Sequence, residues 1–194
     1  MDARRISLDY VDVLKQILDS DNTTVGGGSS SALVGAMACG LIGMVCKLST
    51  KKDYGLSAEK QLEYAKELEG IKEKLLEGAV KDVEAYTTIV NAYKLPKDTD
   101  EEKEARNKAI SDAGVVGATT PMNNARLCRR VYEIGMELDG KSNPNCHSDL
   151  VIGYELARNG VRGGIMNIEA NLPIVKDEGK VEEFNNAIRD LSIG

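Results

Sequence analysis

Sixteen consecutive residues, Ser31 to Cys46, carry no charge and are rich in Ala, Gly and Met. A stretch of this kind must be buried. It is shorter than the roughly 20 residues that cross a bilayer, and Lys47, Lys51 and Lys52 close it off. It is expected to form a helix that is apolar on all sides and sits at the centre of a helical molecule. Gly35, Gly40 and Gly43, with Ala32, Ala36 and Ala38, are expected to let neighbouring backbones approach. Each glycine costs a helix roughly 1 kcal/mol against Ala, so close packing should compensate. The core has little else to use, because the chain holds one Phe, seven Tyr and no Trp.

The rest of the chain reads as helix around this segment. Ile6, Tyr10, Leu14 and Ile17 share one face of a run from Ile6 to Leu18. Asp19 to Gly28 is a turn-rich break ending in three glycines, and Ser29 is expected to cap the central helix. After a turn at Asp53 to Gly55, Leu62, Ala65, Leu68, Ile71, Leu75, Ala79, Val83, Tyr86 and Val90 mark a long amphipathic helix. Lys94 to Thr99 is a loop, and Thr99 with Glu102 forms a capping box. The next helix runs from Asp100 to Leu138, with a kink or break expected near Thr119 or Thr120 because of Pro121. Lys141 to Asn145 is a polar loop. A second small-residue helix follows from Ser148 to Ala170, stopped by Leu172-Pro173, and a short amphipathic helix covers Val181 to Leu191. No strand-like alternation of useful length occurs. The expectation is one all-α domain over residues 1–194, an up-and-down bundle of long helices with two buried small-residue-rich helices.

A net charge of −6 argues against non-specific nucleic-acid binding, which needs a basic surface. Cys39, Cys46, Cys128 and Cys146 form no CxxC pair, and His147 is the one histidine, so neither a zinc site nor a disulfide framework is expected. The charged start, Met1 to Tyr10, does not read as a signal peptide. The expected compartment is the cytoplasm, with no membrane partner.

Two segments are candidates for chemistry. Gly26-Gly27-Gly28-Ser29 at a helix start leaves backbone N–H groups free and suits an anion. It matches neither a P-loop nor a dinucleotide fingerprint, and the same residues also read as a hinge that caps a helix. Asn145-Cys146-His147-Ser148-Asp149 lies between a Pro turn and an apolar helix, and it too reads as a cap. His147, Ser148 and Asp149 are adjacent, so their side chains diverge and cannot form a hydrolase triad. Arg126, Arg129 and Arg130, and Arg158 and Arg162, read as solvated runs or as anion contacts.

In order along the chain, Gly26-Gly27-Gly28-Ser29 with Met44-Val45 and Leu48-Ser49, Asp82 with Tyr86, Leu95-Pro96-Lys97, Pro121, Asn145 to Asp149, Val161-Arg162-Gly163-Gly164 and Asn167 to Leu172 resemble the cyclodeaminase/cyclohydrolase family. This is the stand-alone relative of the cyclodeaminase half of formiminotransferase-cyclodeaminase. The resemblance implies a helical subunit that dimerises, with a folate site near the subunit interface. It implies that Gly26, Gly27, Gly28 and Ser29 line the ligand and that Asp149 is the catalytic carboxylate. His147 is expected to share proton transfer. Lys47, Lys51, Lys52 and Arg162 are candidates for the glutamate tail, Asn145 is a further substrate-binding candidate, and Asn167 and Asn171 either hold the pterin edge or cap a helix end. Val25 stands where the family has Pro, and Cys146 and His147 where it has Ser and an apolar residue.

The implied reaction is water addition to 5,10-methenyltetrahydrofolate. Ring closure of the 5-formimino compound with loss of ammonia, a non-catalytic folate-binding protein, and a lyase acting on another small molecule are the alternatives. No cofactor is expected beyond the tetrahydrofolate derivative that serves as substrate.

Overall fold

The computed structural model describes residues 9–193, and these fold into six α-helices without a strand. They are α1 (Tyr10–Leu18), α2 (Gly27–Leu48), α3 (Ala58–Tyr93), α4 (Asp100–Leu138), α5 (His147–Asn171) and α6 (Glu178–Leu191). Short 3₁₀ turns, Pro144–Cys146 and Leu172–Ile174, flank α5. Ile6 and most of the charged start lie outside the described residues.

Helices α2 to α5 form the bundle, each antiparallel to the next. Gly28 lies against Asp82 and Gly35 against Leu75, which sets α2 against α3. Tyr64 donates to Glu137 at 2.6 Å and Arg106 donates to the Tyr93 carbonyl at 3.1 Å, which sets α3 against α4. Gly164 abuts Ala125, and Gly27 abuts Asn167, so α5 runs back along both α4 and α2. The charge-free helix thus packs against α3, α4 and α5, but it is not buried on all sides: a stripe through Met37, Gly40 and Met44 stays exposed. By length and composition α2 alone among the described helices would also pass for a membrane span. Its burial against three partners is the reading its neighbours support.

Close packing is achieved through small residues. Cys128 of α4 points its sulfur at the place where Gly35 and Gly160 would each carry a Cβ. Any side chain at either glycine would drive the helices apart. Gly40 and Gly43 behave differently from expectation: a Cβ at either would meet nothing within 4 Å. Of Gly35, Gly40 and Gly43, close approach inside the chain therefore accounts for Gly35 alone. Burial pushes the thiols of Cys39, Cys46 and Cys128 up to about 12. All four cysteines are free, and these three stay protonated at neutral pH.

Two expectations about helix ends change. First, α2 begins at Gly27, two residues ahead of Ser29, and its N-cap Gly26 makes no side-chain capping bond. Ser29 is inside the first turn, with its hydroxyl turned to α3 instead. Second, α4 is one helix through Pro121, so the break expected there as one of two outcomes does not occur. The capping box of Thr99 and Glu102 starts it, with Glu102 N–H donating to the Thr99 hydroxyl at 3.2 Å.

Candidate active site

The glycine-rich start of α2 opens into a cavity of about 140 Å³ whose wall includes Thr23, Thr24, Gly26, Asp82, Tyr86 and Asn171. Ala85, Ile89, Gly117 and Asn167 complete it. Its charged member is Asp82. The Ser29 hydroxyl donates to Asp82 Oδ2 at 2.8 Å, whereas Ser30 and Ser31 bond back to the carbonyls of Gly26 and Gly27. With no side chain of its own to cap it, α2 leaves first-turn N–H groups free, and that of Ser29 is turned to this carboxylate. Gly28 is what allows the approach, since a Cβ there would lie 2.6 Å from Asp82 Cγ.

Burial raises the Asp82 pKa above the ordinary carboxylate value, and the Ser29 hydroxyl and backbone N–H offset part of that rise. A carboxyl group poised in this way, at a cavity wall, is suited to both taking up and returning a proton. Asn167 and Asn171 extend the wall from α5. Asn167 Nδ2 donates to the Gly163 carbonyl at 2.8 Å, and Asn171 Nδ2 donates to Gly117 and Asn167 carbonyls at 3.0 and 2.8 Å.

The sequence-derived site residues fall at two ends of the bundle. Gly26, Gly27, Gly28, Ser29 and Asn167 gather around this cavity. Lys47, Lys51, Asn145, His147 and Asp149 gather at the other end. Asp149 and Asn167 are on the same helix, and at 1.5 Å per residue their separation is roughly 27 Å. Asp149 is in the first turn of α5 and partly buried. His147 lines a second, more open cavity of about 450 Å³ with Tyr54, Asp139 and Pro144, and its Nδ1 is 3.6 Å from Asp139 Oδ1. Asn145 is exposed beside it. Lys47 borders a shallow groove with Gly40, Met44 and Glu69, and Lys51 is exposed. Arg162 is exposed and takes no part in the glycine-end wall. Arg129 and Arg130 are committed to Glu133 and Glu67 at 2.9 and 2.6 Å. Among the described residues no group of three or more His, Cys, Asp or Glu stands close enough to hold a metal ion.

Asp82 was not among the site residues read from sequence, although a signal was present. It continues the buried stripe of α3 through Leu75, Gly78, Ala79 and Ala85. A carboxylate on a helix face otherwise made of small apolar residues is out of place unless something pairs with it.

The family model described as formiminotransferase-cyclodeaminase matches residues 11–190. The chain belongs to this family. A methenyltetrahydrofolate cyclohydrolase of Methylorubrum extorquens is 35% identical over 167 residues, which are 86% of this chain and 80% of that protein. The formimidoyltransferase-cyclodeaminase of Rattus norvegicus is 27% identical over 169 residues, 86% of this chain and 31% of the relative. The chain therefore spans about a third of that longer protein. A crystal structure of formiminotetrahydrofolate cyclodeaminase from Thermotoga maritima superposes with a TM-score of 0.74 at 25% identity, over 98% of this chain and 93% of that one.

Proposed function

We propose that this chain is a folate one-carbon enzyme that adds water to the methenyl bridge of 5,10-methenyltetrahydrofolate, giving 10-formyltetrahydrofolate. The observation that carries the reading is Asp82, a carboxyl of raised pKa held by Ser29 at the start of α2 and facing a cavity. Family membership supplies the substrate class. The choice of water over ammonia chemistry rests on the cyclohydrolase relative, which is matched at 35% identity over most of its own length.

In this reading Asp82 takes a proton from water as the oxygen bonds to the cationic bridge carbon. The tetrahedral carbon then breaks its bond to N5, and Asp82 returns the proton to N5. The new hydroxyl loses its proton to solvent and becomes the formyl oxygen, so one proton is released overall. A raised carboxyl pKa suits both transfers. Between the two transfers the Ser29 N–H and hydroxyl stabilise the ionised form of Asp82. No cofactor or metal enters these steps.

A cavity of about 140 Å³ is smaller than the roughly 300 Å³ at which sites for whole drug-sized ligands begin, so it takes the reacting end of the substrate and leaves the glutamate tail outside. We place the enzyme in the cytoplasm as a homodimer. Met37 and Met44 are exposed on α2 at 57% and 39%, beside Gly40, over which nothing lies within 4 Å. A second copy packed antiparallel on this face would bring the lysine end of one α2 toward the glycine end of the other. That arrangement reconciles Lys47 and Lys51 with a tail-binding role that they cannot fill within one chain.

The second reading, closure of the 5-formimino compound with loss of ammonia, draws on the Thermotoga maritima structure, which matches nearly the whole chain. One spectrophotometric experiment separates the possibilities. Purified protein is mixed with 5,10-methenyltetrahydrofolate beside Asp82→Asn and Asp149→Asn variants. Loss of the methenyl absorbance that depends on Asp82 and survives in Asp149→Asn supports the assignment. Dependence on Asp149 instead would return the chemistry to the other end of the bundle. No loss above the spontaneous rate would sink the cyclohydrolase reading and direct the assay to the formimino substrate, then to binding alone.

A further inference from the structure

We propose that Asn171 is a specificity-determining residue, fixed as a hydrogen-bond acceptor by the carbonyl that Pro121 leaves unpaired, and that it receives a ring N–H of the substrate's heterocycle. The inference rests on the folate reading and adds the residue that selects the heterocycle.

The chain of causes starts in α4. In an α-helix the N–H of residue 121 would donate to the carbonyl of residue 117, but proline has no N–H. The helix nonetheless runs through Pro121, so the Gly117 carbonyl lacks its partner. Asn171 supplies one from α5, with Nδ2 donating to Gly117 O at 3.0 Å. Its other amide proton goes to the Asn167 carbonyl at 2.8 Å. Both acceptors are carbonyl oxygens, so the amide cannot be turned around. What Asn171 has left to offer the cavity is Oδ1, with two lone pairs and no proton.

Gly117 makes this possible. A Cβ there would lie 2.9 Å from Asn171 Oδ1 and 2.7 Å from Ile89 Cδ1, so any larger residue would push the amide out of reach of the carbonyl. Gly117, Asn171 and Asp82 border the same cavity. The α5 side of that cavity therefore offers an acceptor whose orientation is imposed from outside the site. Such a wall favours a ring that presents N–H groups and disfavours one that presents lone pairs, because a mismatched pair leaves polar atoms unsatisfied. A reduced pteridine, with adjacent ring N–H and amino donors, has the required edge.

A rival role, capping the Gly117 carbonyl and nothing more, makes a different forecast. The test uses Asn171→Leu, Pro121→Ala and the double variant. Each is followed by thermal unfolding, by KM and kcat on 5,10-methenyltetrahydrofolate, and by the Kd for 5-formyltetrahydrofolate, which carries the same heterocycle. Asn171→Leu is expected to lower Tm and to raise both KM and Kd about tenfold, with kcat changed by less than about threefold. The Pro121→Ala substitution restores an N–H to the Gly117 carbonyl, so the double variant should regain the Tm of Pro121→Ala. Its Kd should nonetheless remain about tenfold weaker than that of Pro121→Ala. Recovery of Kd together with Tm would overturn the proposal and leave Asn171 as a cap. Absence of folate binding in the parent protein would sink the broader reading as well, an outcome distinct from that recovery.

Discussion

Replacing Gly28 by Ala should damage catalysis far more than it damages the fold. The new Cβ would stand 2.6 Å from Asp82 Cγ, against an ordinary carbon–carbon contact of about 3.5 Å or more. The first turn of α2 cannot yield, since α3 and α5 pack along it, so the carboxyl must recede by about 1 Å. The Ser29–Asp82 hydrogen bond, now 2.8 Å, would stretch well past the roughly 3.0 Å limit for such a bond. Losing a bond to a charged group costs about 1.5–3 kcal/mol, and Ala in a helix returns up to about 1 kcal/mol over Gly. The net loss of stability is about 1 kcal/mol, or roughly 2–4 °C in Tm for a chain of this size. A 1 Å displacement of a reacting group costs about 100-fold in rate, equivalent to about 2.7 kcal/mol of barrier. Loss of Ser29's contribution also pushes the Asp82 pKa further up, so the acid limb of kcat/KM should move to higher pH. The assay is loss of methenyl absorbance across pH, paired with thermal unfolding. Gly70→Ala, in an exposed part of α3 with nothing within 4 Å of the new Cβ, is the control and should gain up to about 1 kcal/mol without loss of rate. Turnover within about threefold of the parent in Gly28→Ala would refute the placement of Asp82 in the reaction.

Further outcomes are open to measurement. In the parent enzyme kcat/KM should fall as pH drops through the raised Asp82 pKa, above the ordinary value of 3.8, and Asp82→Asn should abolish that limb while remaining folded. The same raised pKa means that the folded state binds this proton more tightly than the unfolded state. Asp82's contribution to stability is therefore present at low pH and lost as pH rises through its folded pKa. Glu67 has the opposite sign: Arg130 donates to it through two nitrogens at 2.6 and 2.9 Å and lowers its pKa. Its contribution is present above the unfolded carboxylate pKa and fades as pH falls through the lower folded value. Because the pair is partly exposed, Glu67→Gln should cost no more than about 1 kcal/mol at neutral pH, read by denaturant unfolding at pH 7 and pH 3. Phe184 of α6 is fully buried, and Phe184→Ala should cost about 3–5 kcal/mol in the same titration.

Sequence determined much of this protein because the relevant physics is local or periodic. The charge-free run of α2 is driven into the bundle by its composition, with only the Met37–Gly40–Met44 stripe left open. The apolar repeat of α3 and the Thr99–Glu102 box fix long helices without reference to neighbours. The glycine triplet marked a place where backbone donors are free, and the order of motifs marked the family. Tertiary structure decided what these features face. Asp82 and Ser29 are 53 positions apart, and no spacing rule links a carboxylate on one helix to the start of another; the antiparallel packing of α2 on α3 does. Gly26 to Ser29 and His147 with Asp149 are both polar helix starts in sequence, yet the length of α5 holds them at opposite ends of the molecule. Pro121 reads as a breaker in one dimension because its missing N–H leaves a carbonyl unpaired. Only the bundle reveals that Asn171, arriving from α5, pairs with that carbonyl, allows α4 to continue, and turns the defect into part of the cavity wall.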